Sequence, residues 1–334
     1  MSMHAQRALR VGVVGCGSMG SNHLRVLSEM RLVDIAFVVD SDAAKVSQIA
    51  NRYGTVGFVD VSDALPEAEA VIVASPTSTH SSVVESLFRR FARILVEKPL
   101  TADTHSSLAL EQAAKASGVS LQIGFIERYN PAVQGLMRIL DGTDELISLE
   151  FERISKVPDR LVELDVVRDL MIHDLDLALL MAGPVADVMA MHPRSDNPIE
   201  QAHVLLRHVG GAVSQLHASR ISQRKHRRIR MTQASRMAEA DLISQRVTIH
   251  EQGLQVNSDS GDIEVMSTER LLHVIPAEPL RRQLEAFLRP SDLQPPPPQV
   301  EDSLSAIDLC ERILRVLEES RLWWEQNNST GAMA

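Results

Sequence analysis

The chain has 334 residues, a formal net charge of −10 and 44% apolar residues. That length accommodates two domains with separate cores, and the acidic balance excludes a general nucleic-acid binder, which needs a basic surface to neutralise phosphates. Neither a membrane-length apolar run nor a signal-peptide core is present, and Cys16 and Cys310 are too few for a disulfide framework or a thiolate metal site, so a cytoplasmic, membrane-free protein is expected.

In chain order, a strand is predicted over Leu9–Val14, followed by Gly15-Cys16-Gly17-Ser18-Met19-Gly20 and a helix over Met19–Met30. This is the setting of a dinucleotide turn. Gly15 makes the tight turn, Gly17 lets backbone approach a pyrophosphate, and Gly20 allows close packing of helix on strand, with Ser18 and Met19 in the first helical turn. The second strand, Val33–Val39, ends at Asp40, where a carboxylate accepts from a ribose 2′-hydroxyl and repels a 2′-phosphate. Its neighbours Ser41 and Asp42 are not basic, which favours NAD over NADP.

A helix over Ala43–Tyr53 and a strand over Val71–Ala74 lead to Ser75-Pro76-Thr77-Ser78-Thr79-His80, of which Ser75, Pro76, Thr77 and His80 are expected to border the cofactor. Helix Thr79–Phe91 and strand Ile94–Val96 follow, and Glu97-Lys98-Pro99 then falls on the same sheet edge as the glycine turn. Glu97 and Lys98 are assigned to the cofactor site. Lys98 can also hydrogen-bond an alcohol oxygen as it becomes a ketone; the plain alternative is a surface lysine. Helix Asp103–Ser117 and strand Leu121–Ile123 complete a doubly wound parallel sheet, a Rossmann domain set at residues 1–125.

The segment Gly124-Phe125-Ile126-Glu127-Arg128-Tyr129-Asn130-Pro131 enters the second domain, residues 126–334, assigned to substrate binding and oligomerisation. Arg128, Tyr129 and Asn130 are donors suited to a polyhydroxyl or phosphorylated ligand, or else hinge and helix-capping residues; Arg160 is a further substrate candidate. A helix is predicted over Pro131–Leu140 and a strand over Leu146–Arg153, then an apolar helix near Val166–Met181. Asp169, His173 and Asp176 recur at helical spacing on one face of that helix. An imidazole beside carboxylates suits a general base; the alternatives are a satisfied core histidine and, less favoured, a metal site through His173, Asp174 and Asp176.

Next come strands at His203–Val209 and Ala212–Ser219 flanking a two-residue Gly210-Gly211 hairpin, then Arg228–Thr232, Glu239–Ile243, Arg246–His250 and Leu254–Val256, which make a mainly antiparallel sheet. Residues 220–230 hold six Arg or Lys; they are a solvated face or, through Arg227, an attraction for a phosphorylated substrate. Helix Leu280–Leu288, a proline spacer at Pro295–Pro298 and a helix over Ser303–Arg321 close the chain, with the polar tail after Trp324 expected to be poorly ordered.

Together, Gly15-x-Gly17-x-x-Gly20, Pro76-Thr77-x-x-His80, Glu97-Lys98-Pro99 and Asp169-x-x-x-His173 resemble the Gfo/Idh/MocA family of sugar oxidoreductases across nearly the whole chain. The resemblance implies a Rossmann domain plus an α/β domain with an open, mainly antiparallel sheet. It also implies bound NAD(P), a homodimer or homotetramer, and Lys98 with His173 acting on a sugar or cyclitol hydroxyl, supported by Asp169. Residues 124–131 and 169–176 are similar to the UDP-N-acetylglucosamine 3-dehydrogenase branch, although Phe125 stands where that branch more often has histidine. This implies a nucleotide-sugar substrate, an amino-sugar lipid A pathway and an aminotransferase partner. A free-sugar or cyclitol dehydrogenase is the nearer alternative, and a non-enzymatic NAD-dependent sugar sensor the remoter one.

Overall fold

The computed structural model describes residues 7–63, 65–140, 142–156, 164–193, 199–256, 263–291 and 295–328, with backbone alone at 254–256, 263–265 and 324–328. Its elements run β1 (Leu9–Val14), α1 (Ser18–Glu29), β2 (Val33–Val39), α2 (Ala43–Tyr53), β3 (Val56–Phe58), β4 (Ala70–Val73), α3 (His80–Leu87), β5 (Arg93–Val96), α4 (Thr104–Ser117) and β6 (Ser120–Ile123). Then come α5 (Pro131–Ile139), β7 (Leu146–Lys156), a π-helical turn (Val167–Met171), α6 (Ile172–Ala182), β8 (Val185–Met191), β9 (Gln201–His208), β10 (Val213–Ser222) and β11 (His226–Gln233). The chain closes with β12 (Arg236–Asp241), β13 (Arg246–Val256), β14 (Ile263–Leu272), α7 (Pro279–Leu288) and α8 (Val300–Asn328). Among the described residues no helix is long and apolar enough to cross a membrane.

The residues form two compact units, Met1–Tyr129 with Glu278–Ile307 and Asn130–Ala277 with Asp308–Ala334. In the first unit six parallel strands lie in the order β3-β2-β1-β4-β5-β6. Strand order reverses between β1 and β4, the place where such sheets hold ligands beyond their carboxyl ends. Covering helices bury both faces, which is why β4 reads as an unbroken apolar run with all four residues at 0% exposure. Asp42 and Asp103 cap α2 and α4 by accepting from the N–H groups of Lys45 and Ser106, and left-handed Gly54 and Gly118 end the same helices.

Sequence continuity places α7 with the second domain, but its Leu280, Leu284, Phe287 and Leu288 are buried in one core with Val11, Leu24 and Ile72 of the first unit. The proline run is also more than a spacer. Pro298 offers its carbonyl to the N–H of Ile123 at 3.1 Å, covering part of the exposed edge of β6.

The second unit carries eight strands in the order β14-β13-β12-β11-β7-β10-β9-β8, antiparallel except for the β7–β10 pair. Burial alternates along β9, with Ala202, Val204, Leu206 and His208 buried and His203, Leu205 and Arg207 exposed. Four sequence expectations change here. The Gly210-Gly211 hairpin is a three-residue turn, because His208 donates its N–H to Ala212 and Gly211 adopts φ 96°. The two short runs at 246–256 are one strand, paired with β14 over Val247–Val256. The helix expected at 166–181 opens with the π turn, and α8 continues to Asn328 rather than stopping at Arg321.

Candidate active site

In the first unit the glycine turn joins the ends of β1, β2 and β4. Gly15 donates its N–H to the Val39 carbonyl at 2.7 Å and adopts φ 89°; a Cβ there would lie 2.4 Å from the Ser75 nitrogen. A Cβ on Gly20 would lie 1.8 Å from the Gly15 carbonyl oxygen, whereas one on Gly17 meets nothing within 4 Å. Two glycines are therefore demanded by packing and the third by open space in front of the turn. Gly17 is the N-cap of α1, with no side-chain capping bond and no acid in the first turn, so the helix presents its positive end uncompensated by side chains. Ser18 there is exposed and Met19 half-buried. The open approach and the bare helix end fit a pyrophosphate.

Asp40 closes the turn from β2. Its Oδ2 accepts from the Cys16 N–H at 2.7 Å and from Lys45 Nζ at 3.1 Å, and its Oδ1 accepts from the Asp42 N–H at 3.1 Å. A carboxylate offers about four acceptor directions, so capacity remains for a ribose hydroxyl. Lys45 is a basic neighbour that adjacent residues do not reveal, since it reaches back from the first turn of α2.

The turns after β4 and β5 are tied together. His80, 1% exposed, places Nε2 2.9 Å from the Ser75 carbonyl oxygen and Nδ1 3.1 Å from those of both Pro99 and Leu100. Thr79 donates its hydroxyl to the Pro76 carbonyl at 2.7 Å. Glu97, 7% exposed, has Oε1 2.7 Å from Nε2 of fully buried His23 and Oε2 accepting from the Lys98 N–H at 3.3 Å. His80 and Glu97, expected at the cofactor, are both buried against protein partners at that edge. Ser75, Thr77 and Lys98 keep partial exposure at that edge.

In the second unit the π turn carries Asp169. Arg220, 2% exposed, reaches it at 3.4 Å while its Nε and Nη2 bond the Glu200 carboxylate. His173 is half-buried on α6. Asp174 on the neighbouring face is 3% exposed and takes a two-pronged bond from Arg153 of β7 at 2.8 and 2.7 Å, and Asp176 is 2% exposed. Of the expected face, Asp169 and His173 keep solvent access and Asp176 does not. Among the described residues no three His, Cys, Asp or Glu are grouped to hold a metal ion.

The substrate donors expected at the domain crossing have structural work. Arg128, 5% exposed, pairs with Asp302 at 3.1 Å, and its guanidinium lies 5.9 Å from the Phe125 ring centroid. Tyr129 is 2% exposed and burial pushes its phenol up to about 12. Asn130 caps α5 by accepting from the Ala132 N–H and donates to the Leu242 carbonyl, each at 3.0 Å. All three side chains are buried. Arg160 lies outside the described residues.

The basic run divides between the faces of β11. Arg230 pairs with Glu150 and Glu239, and His226 with Glu152, on the face where Arg228 lies beside His217 and Gln215. Arg227 alternates to the face of Ile229 and Met231, opposite Arg153 in the register. His23, Lys45, Arg153, Glu200 and Arg220 were missed as supports. His23 recurs with Gly20, Leu24 and Leu27 along the buried stripe of α1, a periodicity that could have found it.

Residues 9–125 match the model of the GFO/IDH/MocA oxidoreductase family, NAD-binding Rossmann fold, and residues 160–237 match the GFO/IDH/MocA C-terminal domain. UDP-N-acetylglucosamine 3-dehydrogenase of Acidithiobacillus ferrooxidans is 34% identical over 248 residues, covering 73% of this chain and 78% of that protein. Its solved structure superposes with a TM-score of 0.82 at 28% identity, covering 93% of this chain and 98% of the other. Inositol 2-dehydrogenase of Corynebacterium glutamicum is 30% identical over 200 residues, 57% of this chain and 59% of that protein.

Proposed function

Because the chain belongs to the GFO/IDH/MocA oxidoreductase family and carries its NAD-binding Rossmann unit, we propose that it oxidises the C3 hydroxyl of UDP-N-acetylglucosamine to the 3-keto nucleotide sugar. The observation that carries the substrate is the 34% identity to the Acidithiobacillus enzyme across 248 residues. Arg227, which shares a sheet face with Arg153 and Ile229, is assigned to the diphosphate.

The glycine turn and the N-terminus of α1 would hold the pyrophosphate, and Asp40 would accept from the adenosine ribose. When bound, NAD supplies a nicotinamide ring able to take up a hydride. An imidazole nitrogen of His173 accepts the substrate hydroxyl proton, and Lys98 Nζ donates to the oxygen as the C–O bond becomes a carbonyl. Asp169 steadies the imidazolium that forms, and Arg220 with Glu200 holds Asp169. The second unit is assigned to the sugar and to self-association as a dimer or tetramer, with an aminotransferase consuming the ketone for amino-sugar lipid synthesis. Two free buried cysteines support a cytoplasmic setting.

Lys98→Met and His173→Asn are each expected to lower kcat by at least about a hundredfold in a folded protein; near-normal turnover by either sinks these roles. The second reading, an inositol dehydrogenase, rests on the 30%-identical relatives. It wins if inositol reduces NAD while UDP-N-acetylglucosamine, with an aminotransferase coupled in, does not.

A further inference from the structure

The ring of His80 faces three oxygens that can only accept. Ser75 O lies 2.9 Å from Nε2, and Pro99 O and Leu100 O each lie 3.1 Å from Nδ1. A neutral imidazole has one N–H and one lone pair; whichever nitrogen carries the proton, the other aims its lone pair at a carbonyl lone pair inside a site only 1% exposed. Only the doubly protonated ring donates on both sides. The carboxylates of the adjoining segments are engaged elsewhere, Glu97 with His23 and Glu111 of α4 with Lys115, so the three carbonyl dipoles are the ring's partners. Of the other charged groups nearby, Lys98 lies on the strapped turn and Glu85 is exposed on α3 itself, while His105 and Asp103 stand at the start of α4.

We propose that His80 is a positioning residue that acts as a buried imidazolium, strapping the turn after β4 to the Lys98-Pro99-Leu100 turn and so fixing the backbone from which Lys98 projects. The ring reaches Lys98 only through the following two carbonyls, and it bonds the residue that opens the other turn. Two-sided donation to the carbonyl oxygens is what the doubly protonated ring supplies. Loss of one ring proton replaces an attractive contact with a repulsive one and frees one turn from the other. The catalytic consequence rests on the role proposed above for Lys98; the protonation state does not.

The test therefore has two parts, both on the full chain. Nitrogen-15 NMR of the histidine rings, with His80→Gln assigning the signal, is expected to show both His80 nitrogens protonated at neutral pH; a neutral tautomer overturns the proposal. Kinetics of His80→Gln should show kcat lowered by on the order of tenfold to a hundredfold, a larger change than in Kd for NAD, the mark of a displaced Lys98. A variant that loses only thermal stability and keeps kcat overturns the positioning role. If Lys98→Met keeps full turnover while the ring is doubly protonated, the reading of Lys98 has failed and the imidazolium stands. If His80→Gln does not fold, the wild-type ring signal, assigned by elimination through the other histidines, still decides.

Discussion

Burial pushes the Asp40 carboxyl up, but the N–H groups of Cys16 and Asp42 and the ammonium of Lys45 outweigh it and hold the group below the ordinary carboxylate range. A lowered value stabilises the fold above the unfolded pKa of about 4, and that contribution is lost as pH falls through the folded value. Asp40→Asn should therefore be less stable than the parent at neutral pH, with the gap in denaturant midpoint closing in acid below about pH 4. The same variant should lose about tenfold or more of its preference for NAD over NADP, the worth of a charge-assisted hydrogen bond. Asp40 was legible because the motif counts to it from the glycines. Lys45 and His23 were not, since their roles depend on a helix turning them back onto the site. Arg128, Tyr129 and Asn130 were legible as a cluster but not as buried residues, because donor chemistry looks the same in a ligand site and in a satisfied core.

The glycine turn and α6 make opposite demands on substitution. Gly17→Ala meets open space, so it should fold with an unchanged melting temperature while its added methyl weakens NAD binding. Gly15→Ala and Gly20→Ala collide with backbone and should unfold earlier; calorimetry with an NAD titration separates the cases. On α6, Asp174→Ala removes one partner of the buried Arg153–Asp174 ion pair and should cost about 3–5 kcal/mol in denaturant unfolding, partly recovered by adding Arg153→Met. The buried parallel strands were readable as apolar runs and the helices of the first unit as capped, amphipathic stretches. Three strands were not readable. β3 has three residues and none buried, β8 is mostly exposed, and residues 266–271 of β14 are exposed, so no alternation marks them. The π turn was hidden as well, because its residues read as ordinary helix and only the longer hydrogen bond from the Ile172 N–H to the Val167 carbonyl distinguishes it.

At the scale of the molecule, a change of grammar near residue 130 from alternating strands and helices to successive strands showed two architectures. The return of α7 to the first core was illegible, because an amphipathic helix does not state which apolar surface it covers. The second sheet also carries an acid sensitivity. Burial lowers the affinity of His208 for a proton, and burial with the neighbouring His203 does the same at His217. Both stabilise the fold fully above the free value of about 6.5 and lose that contribution as pH falls through the lowered values. Melting temperature should thus decline from pH 7 towards pH 5, and replacing both with glutamine should flatten the decline. The proposed transfer of hydride from a nucleotide sugar to NAD is tested by nicotinamide absorbance on mixing the protein with NAD and UDP-N-acetylglucosamine, an aminotransferase and its amino donor drawing off the ketone. NADH formation is expected to require the sugar nucleotide and to disappear in Lys98→Met and His173→Asn. Silence with that substrate, alongside NADH formation from inositol or a free hexose, would contradict it.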